Sequence, residues 1–142
     1  MKTIREEERE VPVKKEYDVI VAGGGLGGIA AAIASSRAGA KTLLIERNSF
    51  VGGVATAGMC CSIFNCYYTS EHKLGVHGIP VEIADNLADA MGFGKKWHKH
   101  KGHVIYDVEL GKLVSETTVS SRISTPAFSS ICCNTNLPNS TS

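Results

Sequence analysis

The stretch YDVIVAGGGLGGIAAAIASSRAGAKTLLIERNSFVGG, residues 17–53, decides the fold. Tyr17 to Ala22 is a short apolar, β-branched run, the pattern of a strand buried on both faces. Five glycines between Gly23 and Gly28 end it. Leu26 to Ala38 is rich in alanine and isoleucine and predicts a helix, closed by Gly39, a residue suited to the left-handed position after a helix end. Thr42 to Ile45 is the next buried strand. Strand, helix and strand within about 30 residues make a βαβ unit, whose strands are parallel and whose crossover is right-handed. The fold class is therefore α/β, a Rossmann-like parallel sheet that this chain carries incompletely.

Gly23, Gly25 and Gly28 have the spacing of the dinucleotide-binding fingerprint between a strand and a helix. Each has a separate task. Gly23 permits the turn out of the strand, Gly25 lets a pyrophosphate approach the backbone with no Cβ in the way, and Gly28 lets the helix lie close on the sheet. Gly24 and Gly27 complete the loop. The first N–H groups of the helix, near Leu26 and Gly27, are then available to phosphate oxygens, aided by the helix dipole. A lone GxGxxG is weak, since glycine-rich turns are common, but its context here is specific. Glu46 stands at the end of the second strand, near the offset of about 20 residues at which an acid accepts hydrogen bonds from the adenosine ribose. An acid there disfavours a 2′-phosphate. Ala32 and Ser36, one and two turns past Gly28, keep the sheet-facing side of the helix thin.

NAD and FAD share the ADP half, so the glycines alone do not separate them. The run through Glu46-Arg47 to Gly52-Gly53 resembles the FAD-binding start of glutathione-reductase-type flavoproteins, with a glycine loop, an alanine-rich helix, a strand ending in Glu-Arg or Glu-Lys, and a Gly-Gly pair. That resemblance implies FAD, with Glu46 on the ribose, Arg47 near the adenine or ribose, and Gly52 and Gly53 letting the chain pass beside the cofactor. REVPVKKEYDVIVAGGG and GGVATAG, with GIPVEIADNL and YDVELGKLV further on, are similar to a group of FAD-dependent oxidoreductases over about residues 9 to 114. What that resemblance implies is hydride transfer between a small-molecule substrate and the flavin, in complete relatives several hundred residues longer. From Ser115 it stops, and the abrupt change suggests a truncated or frame-shifted product or a divergent tail. An NAD-linked or disulfide reductase is the alternative enzyme, and a non-catalytic fragment the alternative outside enzymes.

The disulfide reductases place two redox cysteines, with four residues between them, soon after the Gly-Gly pair. Cys61 and Cys66 have that spacing but not that register, which falls on Ala55 and Cys60. Free thiols are the expectation. His98, His100 and His103 with the cysteines lack the paired spacing of a zinc site, so no metal is expected.

Further along, Gly78 to Gly92 predicts a helix with Pro80 in its first turn and Ile83, Leu87 and Met91 on one face. Lys95 to His103 (KKWHKHKGH) is read as a solvated basic loop, leading through Val104 to Tyr106 and to Asp107, an N-cap for a helix through Val114. From Ser115 to Ser142 nearly half the residues are Ser or Thr and no period persists, so a disordered tail is expected. Residues 1–16 form a charged lead-in and residues 17–114 a single partial domain.

The 142 residues suffice for one domain with a core, burying roughly 70% of the unfolded surface. With 43% hydrophobic residues, 20% charged and a net charge of +1, nothing in the balance points to nucleic acid or a charged membrane surface. The charged N-terminus lacks the apolar core of a secretory signal, so a cytoplasmic location is expected. Val19 to Ala34 is too short and glycine-broken for a membrane span.

Overall fold

The computed structural model describes residues 13, 15–63, 67–100 and 103–121. Strand β1 (Val19–Ala22), helix α1 (Leu26–Arg37) and strand β2 (Thr42–Ile45) form the βαβ unit. The strands are parallel, in register from Val19 opposite Thr42 to Ala22 opposite Ile45. The chain leaves α1 through Gly39 at φ +88°, the left-handed geometry expected of a glycine there.

The burial of β1 differs from the expectation. Thr42, Leu43 and Leu44 are buried, whereas β1 alternates, with Ile20 59% exposed. The reason is cover. Helix α1 lies on the Val21 side of β1, and among the described residues β1 pairs only with β2, so its other side meets solvent.

Helix α2 (Ile79–Ala90) starts at Gly78 with Pro80 in its first turn, and buries Ile83, Ala84, Leu87 and Ala88. It is tied to α1 by a two-pronged ion pair in which Arg37 Nη1 and Nη2 donate to Glu82 Oε1 and Oε2 at 3.1 and 2.6 Å. A short antiparallel ribbon follows from β3 (Ser62–Ile63) and β4 (Val104–Ile105). The core joins Ile29 and Ile33 of α1, Leu44 of β2, Val51, Tyr67, Ile83 and Leu87 of α2, Val104, Tyr106 and Val119. Of the two small residues expected to thin α1, Ala32 is fully buried and Ser36 is half-buried.

Two segments depart from what composition suggests. Lys95 to His103 is not a simple solvated loop. Gly94–His100 winds into a 3₁₀ helix whose Trp97 is 1% exposed. The indole Nε1 donates to Asp85 Oδ1 of α2 at 2.8 Å, and His98 Nε2 meets the same oxygen at 3.1 Å. Tyr68 Oη lies 2.6 Å from His98 Nδ1, and the rings of Tyr67 and Tyr68 stand edge-on to the indole. An aromatic anchor with a satisfied N–H outweighs the solvation of the surrounding lysines.

The second departure is at α3 (Val108–Ser120), capped as expected by Asp107, whose side chain accepts from the N–H groups of Glu109 and Leu110. It continues past Val114 and buries Ser115, Thr118 and Val119. With Val108 and Gly111 these residues form one stripe at three- and four-residue spacing, which overrides the Ser/Thr content. Thr118 Oγ1 accepts from Asn86 Nδ2 of α2 at 3.0 Å, so its hydroxyl is paired when buried. The remainder of the expected tail, residues 122–142, and the lead-in residues 1–12 and 14 lie outside the described residues. Among the described residues no helix is long and apolar enough to cross a membrane.

Truncating Val119 tests whether α3 packs to its end. Val119→Ala should lower unfolding stability by about 1–3 kcal/mol through the void it leaves. Leu113→Ala, at a side chain 59% exposed, should change it by less than about 0.5 kcal/mol. Urea unfolding followed by circular dichroism measures both.

Candidate functional site: a glycine-lined anion cradle

The site is built where β1 ends. Gly23 N–H donates to Ile45 O at 2.7 Å, extending the strand pairing by one step. Gly24 N–H then turns to the Glu46 carboxylate, donating to Oε2 at 2.6 Å. Glu46 Oε1 accepts from both the backbone N–H and the side-chain Nδ2 of Asn48, each at 2.9 Å. These donors, led by the Asn48 backbone N–H, hold the Glu46 carboxyl below its ordinary value, with partial burial opposing them. The acid is thus ionised and oriented at the mouth of the loop. Arg47 is exposed beside it.

The Gly52-Gly53 pair closes the other wall. Gly52 N–H donates to Gly24 O at 2.7 Å, and Gly25 and Gly52 form a parallel bridge. Gly52 sits at φ +117°, and a Cβ there would stand 2.5 Å from the Thr56 side chain, so glycine is required on both counts. Thr56 is itself fixed, its hydroxyl donating to Val51 O at 2.9 Å. Tyr106 pins the following segment by donating to Ala55 O and Cys60 O at 3.0 and 2.7 Å, and burial pushes its phenol up to about 12.

The three fingerprint glycines separate by geometry. A Cβ on Gly28 would lie 1.8 Å from Gly23 O, so the contact that demands glycine is helix against loop carbonyl, with Val21 Cγ1 of the strand behind it at 3.6 Å. A Cβ on Gly25 would meet nothing within 4 Å, so the space beside it is open. Gly23 and Gly27 likewise have open space, and Gly23, Leu26 and Gly27 are exposed. No side chain caps α1, whose N-cap residue is Gly25. The N–H groups of its first turn are therefore left for another acceptor. The structure joins the glycine loop from Gly23 to Gly28, which includes Leu26 and Gly27, to Glu46 through Gly24 and to Gly52 and Gly53 through Gly24 and Gly25, while Arg47 is an exposed neighbour of Glu46.

The family described as FAD dependent oxidoreductase matches residues 18–135. The chain belongs to this family. The match runs beyond Ser115, where the motif resemblance ended, into the segment whose composition suggested a tail. Mitochondrial dihydrolipoyl dehydrogenase 1 of Arabidopsis thaliana is 30% identical over 122 residues, covering 74% of this chain and 24% of that protein. A leghemoglobin reductase of Glycine max is 31% identical over 122 residues, covering 74% and 23%. A solved 3-ketosteroid-delta4-(5alpha)-dehydrogenase of Rhodococcus jostii RHA1, in complex with 4-androstene-3,17-dione, shares 32% identity over 74% of this chain and 20% of its own, at a TM-score of 0.31. The chain spans about a quarter of the length of these two curated relatives.

For an FAD-dependent oxidoreductase the cradle has the required donor set: open helix N–H groups for a diphosphate, an ionised acid for ribose hydroxyls, and an approach clear of Cβ atoms. Asn48 and Tyr106 hold the candidate site in place and belong to no motif. Asn48 directly follows Glu46-Arg47, and its amide is the visible signal. Tyr106 acts over 46 residues of sequence and leaves no local signal. The first cysteine register of the disulfide reductases falls on Ala55, which is buried and carries no thiol. Cys60 and Cys61 are exposed free thiols, and Cys66 lies outside the described residues.

Because folding depresses the Glu46 carboxyl, its contribution to stability is fully present above the ordinary value near 4.5 and is lost as pH falls through the lower folded value. Glu46→Gln should therefore differ from the parent by a constant amount at pH 6–8, and the difference should shrink below about pH 4.5. Urea midpoints across that range check the sign. A difference that grows toward acid would contradict an ionised, hydrogen-bonded Glu46.

Proposed function

We propose that the chain binds FAD through its ADP half and is the cofactor-holding segment of an oxidoreductase that moves a hydride between a small-molecule substrate and the flavin. The open space in front of Gly25, at the uncapped start of α1 and beside the Glu46 carboxylate, carries this reading. The N–H groups at Leu26 and Gly27 donate to diphosphate oxygens, with the helix dipole adding to the attraction. Glu46 accepts from the ribose hydroxyls on lone pairs that Gly24 and Asn48 do not occupy. Its charge repels a 2′-phosphate and so selects against NADP-type nucleotides. Arg47 lies over the adenosine end and contributes charge and a planar stacking face. When bound, the flavin supplies the two-electron chemistry, and the protein's part is to bind and orient it. Ala55, in the register of the first redox cysteine, weighs against a disulfide-reductase reading.

Gly25→Ala separates binding from folding. Gly25 has φ −67° and ψ 176°, which alanine adopts without strain, and its new Cβ meets no protein atom within 4 Å. Its stability should be unchanged or slightly raised. Its affinity for ADP or FAD, measured by calorimetric titration, should fall at least about ten-fold, since the methyl occupies the phosphate approach. ADP carrying a 2′-phosphate should bind the parent more weakly than ADP does. Equal ADP affinity in Gly25→Ala and the parent would exclude this cradle as the binding site.

A further inference from the structure

A second cavity, of about 310 Å³, lies between the 3₁₀ helix and β4 and is lined by Phe93, Lys96, Trp97, His103 and Ile105. None of these residues belongs to the glycine cradle. In the β3–β4 ribbon Ile63 pairs with Val104 and Ser62 with Ile105. Paired residues share a face and successive residues alternate, so Ile63 and the buried Val104 point one way and Ile105 the other. Ile63 lines a smaller cavity with Leu26, Gly27 and Tyr67, beside the start of α1. The larger cavity therefore opens on the opposite side of the ribbon from the cradle.

Its chemistry is specific. Phe93 and Ile105 are 46% and 61% exposed, two large apolar side chains left in water at one opening. Behind these two side chains the Trp97 indole, 1% exposed, closes the lining, locked by its bond to Asp85 and backed by the His98 ring at 4.1 Å between centroids. The volume is at the small end of the range for small-molecule sites. Lys96, which is exposed, is the one lysine among the described lining residues, and His103 belongs to the same lining. Asp85, which is not part of the lining, is engaged by Trp97 and His98.

We propose that this cavity binds a small carboxylate with an apolar body, a medium-chain or arylalkyl acid. The body lies between Phe93 and Ile105, close to the buried Trp97, and the carboxylate pairs with Lys96. The apolar walls supply affinity and the lysine supplies selectivity, which excludes cationic amphiphiles of the same length.

Trp97 is the sole tryptophan of the chain, so its emission reports directly on the cavity. Titration of the 142-residue chain with octanoate, 1-octanol and octyltrimethylammonium tests the proposal without flavin present. Octanoate should change the emission saturably, octanol should bind about five-fold more weakly, the factor for one exposed charge pair at contact, and the cation more weakly still. Lys96→Glu should reduce octanoate affinity below that of octanol while leaving octanol unaffected, and Phe93→Ala should weaken both. The absence of a saturable response to octanoate, equal binding of all three probes, or unchanged octanoate affinity in Lys96→Glu would overturn the proposal.

Discussion

The hydrogen bond from Gly24 N–H to the Glu46 carboxylate, at 2.6 Å, ties the end of one strand to the end of its neighbour. It fastens the glycine loop to the residue that follows β2. With it, Gly24 is held so that its carbonyl receives Gly52 N–H, and the Gly-Gly wall is positioned by the same residue that positions the acid. An anion site needs donors that are fixed before the ligand arrives, since ordering them at the moment of binding would cost affinity. Here a charged acceptor and a buried Thr56 fix the loop while the first turn of α1 stays open.

In the proposed cofactor complex the acid has two tasks. Its oxygens satisfy Gly24 and Asn48 within the protein, and a carboxylate has about four acceptor positions, so capacity remains for ribose hydroxyls. A charge held in this way is partly compensated, which explains why it can sit half-buried at a strand end. The same compensation lowers its proton affinity and keeps it anionic throughout the neutral range.

Local constraint explains what was legible in the sequence. The βαβ unit, Gly39 after α1, Pro80 opening α2 and the Asp107 cap each depend on residues within a few positions of one another, and each appears where its pattern places it. The meeting of the glycine loop with Glu46 and with the Gly52-Gly53 pair was legible for the same reason, since fixed spacing between strand and helix brings these segments together. The misread elements depend on distant partners. Trp97 is buried because Asp85, Tyr67 and Tyr68 receive it, and no pattern within KKWHKHKGH announces them. Strands β3 and β4 have two residues each and are defined only by pairing across more than 40 positions. In α3 the signal was present, in the spacing of Val108, Gly111, Ser115 and Thr118, but Ser/Thr content masked it.

Backbone amide NMR of the isotopically labelled chain, titrated with FAD, tests the account most directly. Saturable shifts should concentrate at Gly24 to Gly28, Glu46, Arg47, Gly52 and Gly53, with Gly25, Leu26 and Gly27 moving most as their N–H groups meet the diphosphate. No saturable shift at these amides, or shifts concentrated elsewhere in the chain, would contradict the assignment of the glycine cradle to the cofactor.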